Sequence, residues 1–138
     1  IINGSKLGVT LHRIDEGADT GPIWAQKEIE ILPTDTAKTL YDKSQNELVE
    51  LFKENWVKIK NGELEPIDQD HSIAVYHKKK EVEQLDCINL EKNMVVKDLI
   101  NLLRARSFGE SGFAYFWHDN KKIHLNLSLS NSINFQKD

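Results

Sequence analysis

Asp15, Glu16 and Asp19 crowd into one short segment, with His12 just upstream and Gly17 and Gly21 bracketing Ala18-Asp19-Thr20. A carboxylate held beside an imidazole can take up or relay a proton. Glycines on both sides would let the backbone approach a flat ligand closely. The same residues also fit a plainer reading, in which Asp15 and Asp19 accept hydrogen bonds from backbone N–H groups in turns and His12 only orders the base of the loop. Other candidates carry less. Cys87 is the sole cysteine and lacks the Cys or His neighbours of a metal site, so it is read as a small, half-apolar residue. Lys78-Lys79-Lys80 could meet a phosphate but also reads as a solvated charge run.

The elements that must position the loop follow from periodicity. From Gly8, Val9 and Leu11 alternate with Thr10 and His12, which predicts a short strand. From Ile23 to Ile31, Ile23, Ala25, Ile29 and Ile31 share one face and Trp24, Gln26, Glu28 and Glu30 the other, with Lys27 the exception on the apolar side. Two strands joined by a loop longer than a tight turn resemble a hairpin whose loop has work to do. Pro33 ends the second strand, and Thr34, Asp35 and Thr36 are N-cap candidates for a helix running to about Lys60. Its Leu40, Tyr41, Leu48, Leu51, Phe52, Trp56 and Ile59 predict one core-facing side, and Gly62 is placed to terminate it. Residues 63 to 94 are acid-rich and read as a connection. A second helix is expected from about Val95 to Arg106. Strands at Phe113 to Trp117 and Ile123 to Leu129 should follow, joined at Asp119-Asn120, the latter with one face on a core and one in water.

Composition narrows the function classes. The chain has 138 residues, 39% hydrophobic and 29% charged, enough for one domain or a small domain joined to part of another. A formal net charge of −4 argues against a generic nucleic-acid binder. No apolar run reaches the roughly 20 residues of a membrane span, and no secretory leader pattern is evident, so the cytoplasm is the expected compartment. The chain opens Ile1-Ile2-Asn3-Gly4, and its only methionine is Met94, from which we expect a piece of a longer protein.

The stretch Gly8-Val9-Thr10-Leu11-His12-Arg13-Ile14-Asp15-Glu16-Gly17-Ala18-Asp19-Thr20-Gly21-Pro22-Ile23 resembles the signature of the folate-dependent formyltransferases. Leu102-Leu103-Arg104-Ala105-Arg106-Ser107-Phe108 with Phe113-Ala114-Tyr115 is similar to the start of the C-terminal region in the tRNA and sugar branches of that family. The resemblance implies an α/β chain: the C-terminal part of a Rossmann-like catalytic domain over residues 1–66, a charged connecting segment over 67–92, and a small α+β subdomain, helix plus β-hairpin, over 93–138. It implies formyl transfer from N10-formyltetrahydrofolate to a primary amine, without a metal. Asp19 matches the catalytic aspartate, and His12, Asp15, Glu16, Gly17, Ala18 and Asp19 the segment that grips the pterin.

The family's other reacting residues lie in an upstream Asn-x-His tripeptide, and none occurs in these 138 residues. This chain alone is therefore expected to be inactive or nearly so. The short, weakly charged tail favours a nucleotide-linked amino sugar as acceptor. A methionyl-tRNA formyltransferase, or an inactive dimerisation or binding module, is the alternative. A homodimer is expected to use the strand Ile123 to Leu129, whose edge is available for pairing.

Overall fold

A computed structural model describes residues 1–70, 72 and 78–131 as a small mixed α/β chain of strand pairs and helices. Two compact units interleave along the sequence. Ile1–Ser5, Ile31–Leu40 and the described residues from Lys78 on form one, and Lys6–Glu30 with the described residues between Tyr41 and His77 form the other.

In the unit that carries the loop, β1 (Leu7–His12) pairs antiparallel with β2 (Ile23–Ile29). β2 stops short of the expected Ile31 because Ile29 already faces Leu7, the first residue of β1, and nothing further on that strand remains to pair. Leu11 faces Ala25 whereas His12 faces Ile23, so Trp24 is an extra residue, a bulge. The bulge shifts the alternation by one. Ile23 is thereby moved off the face of Ala25 and Ile29, where simple periodicity put it, and joins Thr10, His12 and Gln26.

The long helix α1 (Ala37–Lys60) owes its start to Thr36. The Thr36 carbonyl accepts from Leu40 N–H at 3.0 Å, and Thr36 N–H donates to the Thr39 hydroxyl at 3.0 Å. Thr39 N–H reaches back to the Thr36 hydroxyl at 3.5 Å, a capping box with threonine in the place of glutamate. From Tyr41 on, α1 belongs to the loop-bearing unit. Lys27, the misfit on the apolar side of β2, ion-pairs with Glu47 of the helix, and that hydrogen bond raises the lysine above its ordinary pKa.

The expected single apolar side of α1 divides in two. Leu51 is 4% exposed, but its neighbour Phe52 is 45% exposed, and Tyr41 and Trp56 are exposed with it. Adjacent helical residues point about 100° apart, so the buried Leu51 and the exposed Phe52 lie on different stripes of the helix. Phe52 and Trp56 stack on each other at 5.3 Å between ring centroids. Gly62, at φ +70°, turns the chain away after the helix. Ile67 then forms a reciprocal bridge with Ile23, its N–H donating at 2.9 Å and its carbonyl accepting at 2.7 Å. This bridge sets the segment from Ile67 beside the start of β2.

The other unit contains α2 (Lys79–Glu83), α3 (Val96–Ala105), the short pair β3 (Ser107–Phe108) and β4 (Ser111–Gly112), and the hairpin β5 (Tyr115–His118) with β6 (Lys121–His124). Arg104 of α3 is buried. Its guanidinium donates to the carbonyls of Asp35 at 2.7 Å and Leu32 at 2.6 Å and to the Asn101 side chain at 3.0 Å, which fixes the turn ahead of α1. Arg106 grips Asp86 with two parallel hydrogen bonds and stacks over Phe113. Asp86 and Ile88 run alongside Tyr115, whose N–H and carbonyl they engage at 2.7 Å each.

Asp119 and Asn120 both have positive φ, at +47° and +60°, as a two-residue type I′ hairpin turn requires. The strand expected to Leu129 ends at His124. Beyond it Leu125 N–H bonds the Ala114 carbonyl and Leu127 N–H the Ser107 hydroxyl, so these residues are held without a continuous ladder. Their alternation persists: Leu125, Leu127 and Leu129 are half-buried, and Asn126, Ser128 and Ser130 exposed.

Candidate active site

The loop between β1 and β2 is closed at its base by Arg13 N–H donating to the Pro22 carbonyl at 2.8 Å. Gly21 lies against this closure, and a Cβ there would sit 1.7 Å from the Arg13 carbonyl oxygen. Neither Gly17 nor Gly21 has positive φ. The smallness of Gly21 thus serves the packing of the loop on itself, a different reason from the ligand approach expected of it.

Asp15 behaves as the turn reading expects. Its Oδ1 accepts from Gly17 N–H at 3.0 Å and from the Thr20 hydroxyl at 2.7 Å. The Thr20 hydroxyl is the main cause that holds this carboxyl below its ordinary pKa, partial desolvation opposes it, and the Gly17 N–H adds to it. A depressed carboxyl stabilises the fold above its unfolded pKa and loses that contribution as the pH falls through its folded value. Thr20→Val is expected to move the Asp15 titration back up toward the ordinary carboxylate range. Carbon-13 NMR of the carboxyl group checks this, and an unmoved midpoint would refute the role given to Thr20.

Asp19 has a different part. Its backbone sits at φ +58°, in the left-handed region that Asp tolerates better than most residues. Its side chain is 94% exposed and places Oδ1 3.5 Å from Nε2 of His12. The other ring nitrogen, Nδ1, is 3.0 Å from the Arg13 carbonyl, which can only accept, so Nδ1 carries the hydrogen. Nε2 is then the nitrogen free to exchange a proton, and it faces the Asp19 carboxylate.

His12 and Asp19 line one concavity of about 380 Å³ together with Gly8, Thr10, Ile23, Gln26 and Gln69. Of the other residues singled out from sequence, Asp15 and Gly17 build the turn, and Glu16 and Ala18 are exposed on it, outside that lining. Cys87 is exposed in the other unit. Sequence reasoning did not single out Gln69, Gln26 or Thr10 as site residues. Thr10 and Gln26 are directly opposed across the strands, Gln26 Nε2 donating to the Thr10 hydroxyl at 3.1 Å, a pairing that register alone could have revealed. Gln69 has no local signal. Among the described residues no group of three His, Cys, Asp or Glu side chains comes together to hold a metal ion, and no helix is long and apolar enough to cross a membrane.

Residues 2–55 match the family described as "Formyl transferase", and residues 81–131 match the "N-formyltransferase dimerization C-terminal domain". The methionyl-tRNA formyltransferase of Malacoplasma penetrans is 34% identical over 133 residues, which are 94% of this chain and 40% of that protein. The chain belongs to the formyltransferase family. It spans less than half the length of that relative.

Among solved formyltransferases, a 4-N formyltransferase from Francisella tularensis superposes with a TM-score of 0.86 at 28% identity, covering 95% of this chain and 54% of that one. An N-formyltransferase from Helicobacter canadensis, solved with folinic acid and dTDP-3-aminofucose, superposes with a TM-score of 0.66 at 30% identity, covering 88% and 44%. Within this family the chemistry open to the site is proton handling. Asp19 and His12 offer a carboxylate and an imidazole nitrogen to one shared space, and the hydrogen bond from Nδ1 to Arg13 fixes which nitrogen faces it.

Proposed function

We propose that the whole protein moves a formyl group from N10-formyltetrahydrofolate to the primary amine of a nucleotide-linked amino sugar. The observation that carries this reading is the pairing of Asp19 with His12 across the concavity in a chain of the formyltransferase family. The amine must be neutral to attack the formyl carbon, and the tetrahedral adduct must lose a proton before the folate nitrogen leaves. Asp19 is the acceptor for that proton, and His12 supports the base of the loop that carries it. The pterin is gripped by His12, Asp15, Glu16, Gly17, Ala18 and Asp19. In this set the exposed residues Glu16 and Ala18 remain for a flat ring rich in donors and acceptors, because the Gly17 N–H is committed to Asp15.

By the same resemblance, the oxyanion donor and a second imidazole come from an Asn-x-His tripeptide that these 138 residues do not contain. The chain by itself is accordingly proposed to be inactive. Residues 1–66 are assigned to the Rossmann-like catalytic domain, 67–92 to the connection and 93–138 to the C-terminal subdomain. The match of residues 81–131 to a dimerization domain supports a homodimer, for which the stretch Ile123 to Leu129 is the proposed contact. A cytoplasmic setting belongs to the same reading.

The likeness to the Helicobacter canadensis N-formyltransferase solved with dTDP-3-aminofucose supports the sugar acceptor, and the relative from Malacoplasma penetrans keeps the tRNA reading as the second. Incubating the whole protein and N10-formyltetrahydrofolate with dTDP-amino sugars and, separately, with charged initiator tRNA decides between them. Formylated sugar is the expected product. Transfer to the tRNA alone would sink the sugar assignment, and transfer to neither would favour a binding module.

A further inference from the structure

Gln69 lies far along the chain from the loop, yet its side-chain Nε2 is 2.9 Å from the Asp19 carbonyl and 2.6 Å from the Gly21 carbonyl. Two carbonyl oxygens can only accept. The atom that faces both must therefore be the amide nitrogen, and both of its hydrogens are used. These contacts grip the backbone on either side of Thr20. They hold the peptide that follows Asp19 at the point where Asp19 takes its left-handed conformation, and that conformation sends the carboxylate toward His12. The clamp is anchored independently of the loop, because the reciprocal bridge between Ile67 and Ile23 ties the segment before Gln69 to β2. Gln69 also lines the same concavity as His12 and Asp19.

We infer that Gln69 is a positioning residue for the Asp19 carboxylate: it fixes the loop backbone so that the proton acceptor is already aimed before substrate arrives. This rests on the reading of Asp19 as that acceptor. The carboxylate is almost fully exposed and has no contact shorter than 3.5 Å to His12, so its own interactions constrain it weakly. Restraint of the peptide to which it is attached is the stronger means of keeping it in place. A 1 Å error in a reacting group can cost about a hundredfold in rate.

The test uses the whole protein, with Gln69→Leu removing the donor and Gln69→Glu keeping the shape while turning an acceptor toward two carbonyls. Both variants are expected to lower kcat at least tenfold while leaving KM for the amine acceptor within about twofold, the pattern of a group that acts in the transition state. A change confined to the melting temperature, with kcat intact, would overturn the inference. A rise in KM with kcat unchanged would also overturn it, because Gln69 would then be binding the acceptor directly. Should Gln69→Leu fail to fold, Gln69→Glu carries the test alone. Asp19→Asn is assayed in parallel. If Asp19→Asn keeps full activity, the functional reading fails on its own account, and the amide NMR shifts of Asp19 and Gly21 in the Gln69 variants still decide whether the clamp exists.

Discussion

Asp19→Asn in the whole protein is expected to lower turnover by about 10²–10⁴-fold, the usual contribution of a positioned acid or base, with the melting temperature unchanged. Asn is the informative replacement because it alters the chemistry and little else. It tolerates φ near +58° about as well as Asp, so the left-handed backbone should survive, whereas Ala at this position would add strain to the loss of the carboxylate. The side chain is 94% exposed and makes no short contact, so its carboxylate contributes little to the fold. What the carboxamide cannot do is take a proton from the tetrahedral adduct. Because that need arises only after attack, KM for the amine should hold while kcat falls. Steady-state formylation with a thermal melt on the same preparation checks both halves. An unchanged rate would remove Asp19 from the chemistry and leave the turn reading of this loop.

Sequence patterns carried this fold as far as local physics reaches. The capping threonine of α1, the left-handed Gly62 after it and the Asp119-Asn120 turn each depend on neighbours a few residues away, and each was readable on that ground. The bulge at Trp24 was not, because a bulge is a property of two strands in register, and the alternation of β2 alone gives no sign that Leu11 and His12 skip a partner. The same limit hid the split of the α1 surface. Tyr41, Phe52 and Trp56 have the spacing of a buried stripe, and only the arrangement of the unit shows that Leu51 goes inward and they do not.

At the candidate site the division is alike. The Asp15 turn is legible from Asp-x-Gly spacing, and the crowding of carboxylates and glycines marks the loop. Gln69 reaches the loop from a segment read as mere connection, in the same way that Asp86 reaches Arg106. No spacing rule joins such pairs, since loop closure brings them together only once the sheet and helix are formed.

The two loop glycines offer a sharper contrast than composition suggests. At Gly21 an added Cβ would stand 1.7 Å from the Arg13 carbonyl oxygen and 2.7 Å from its carbon, both backbone atoms. Arg13 cannot retreat without breaking its N–H bond to Pro22, and the Gly21 carbonyl cannot shift without leaving Gln69. Gly21→Ala is therefore expected to cost about 3 kcal/mol, at the upper end for overpacking, and to disturb the His12 ring, whose Nδ1 shares the Arg13 carbonyl. At Gly17 the obstacle is the Thr20 side chain, its hydroxyl at 2.1 Å and its Cβ and Cγ2 at 3.1 Å each, and rotation about χ1 can swing the hydroxyl away. Gly17→Ala should then cost clearly less than Gly21→Ala, since the rotation gives up only the exposed Thr20 bond to Asp15. Chemical denaturation of the two variants side by side measures the difference. Because the clash at Gly21 involves the strand-closing backbone and the clash at Gly17 does not, equal losses would mean that the loop base is far softer than the Arg13–Pro22 closure implies.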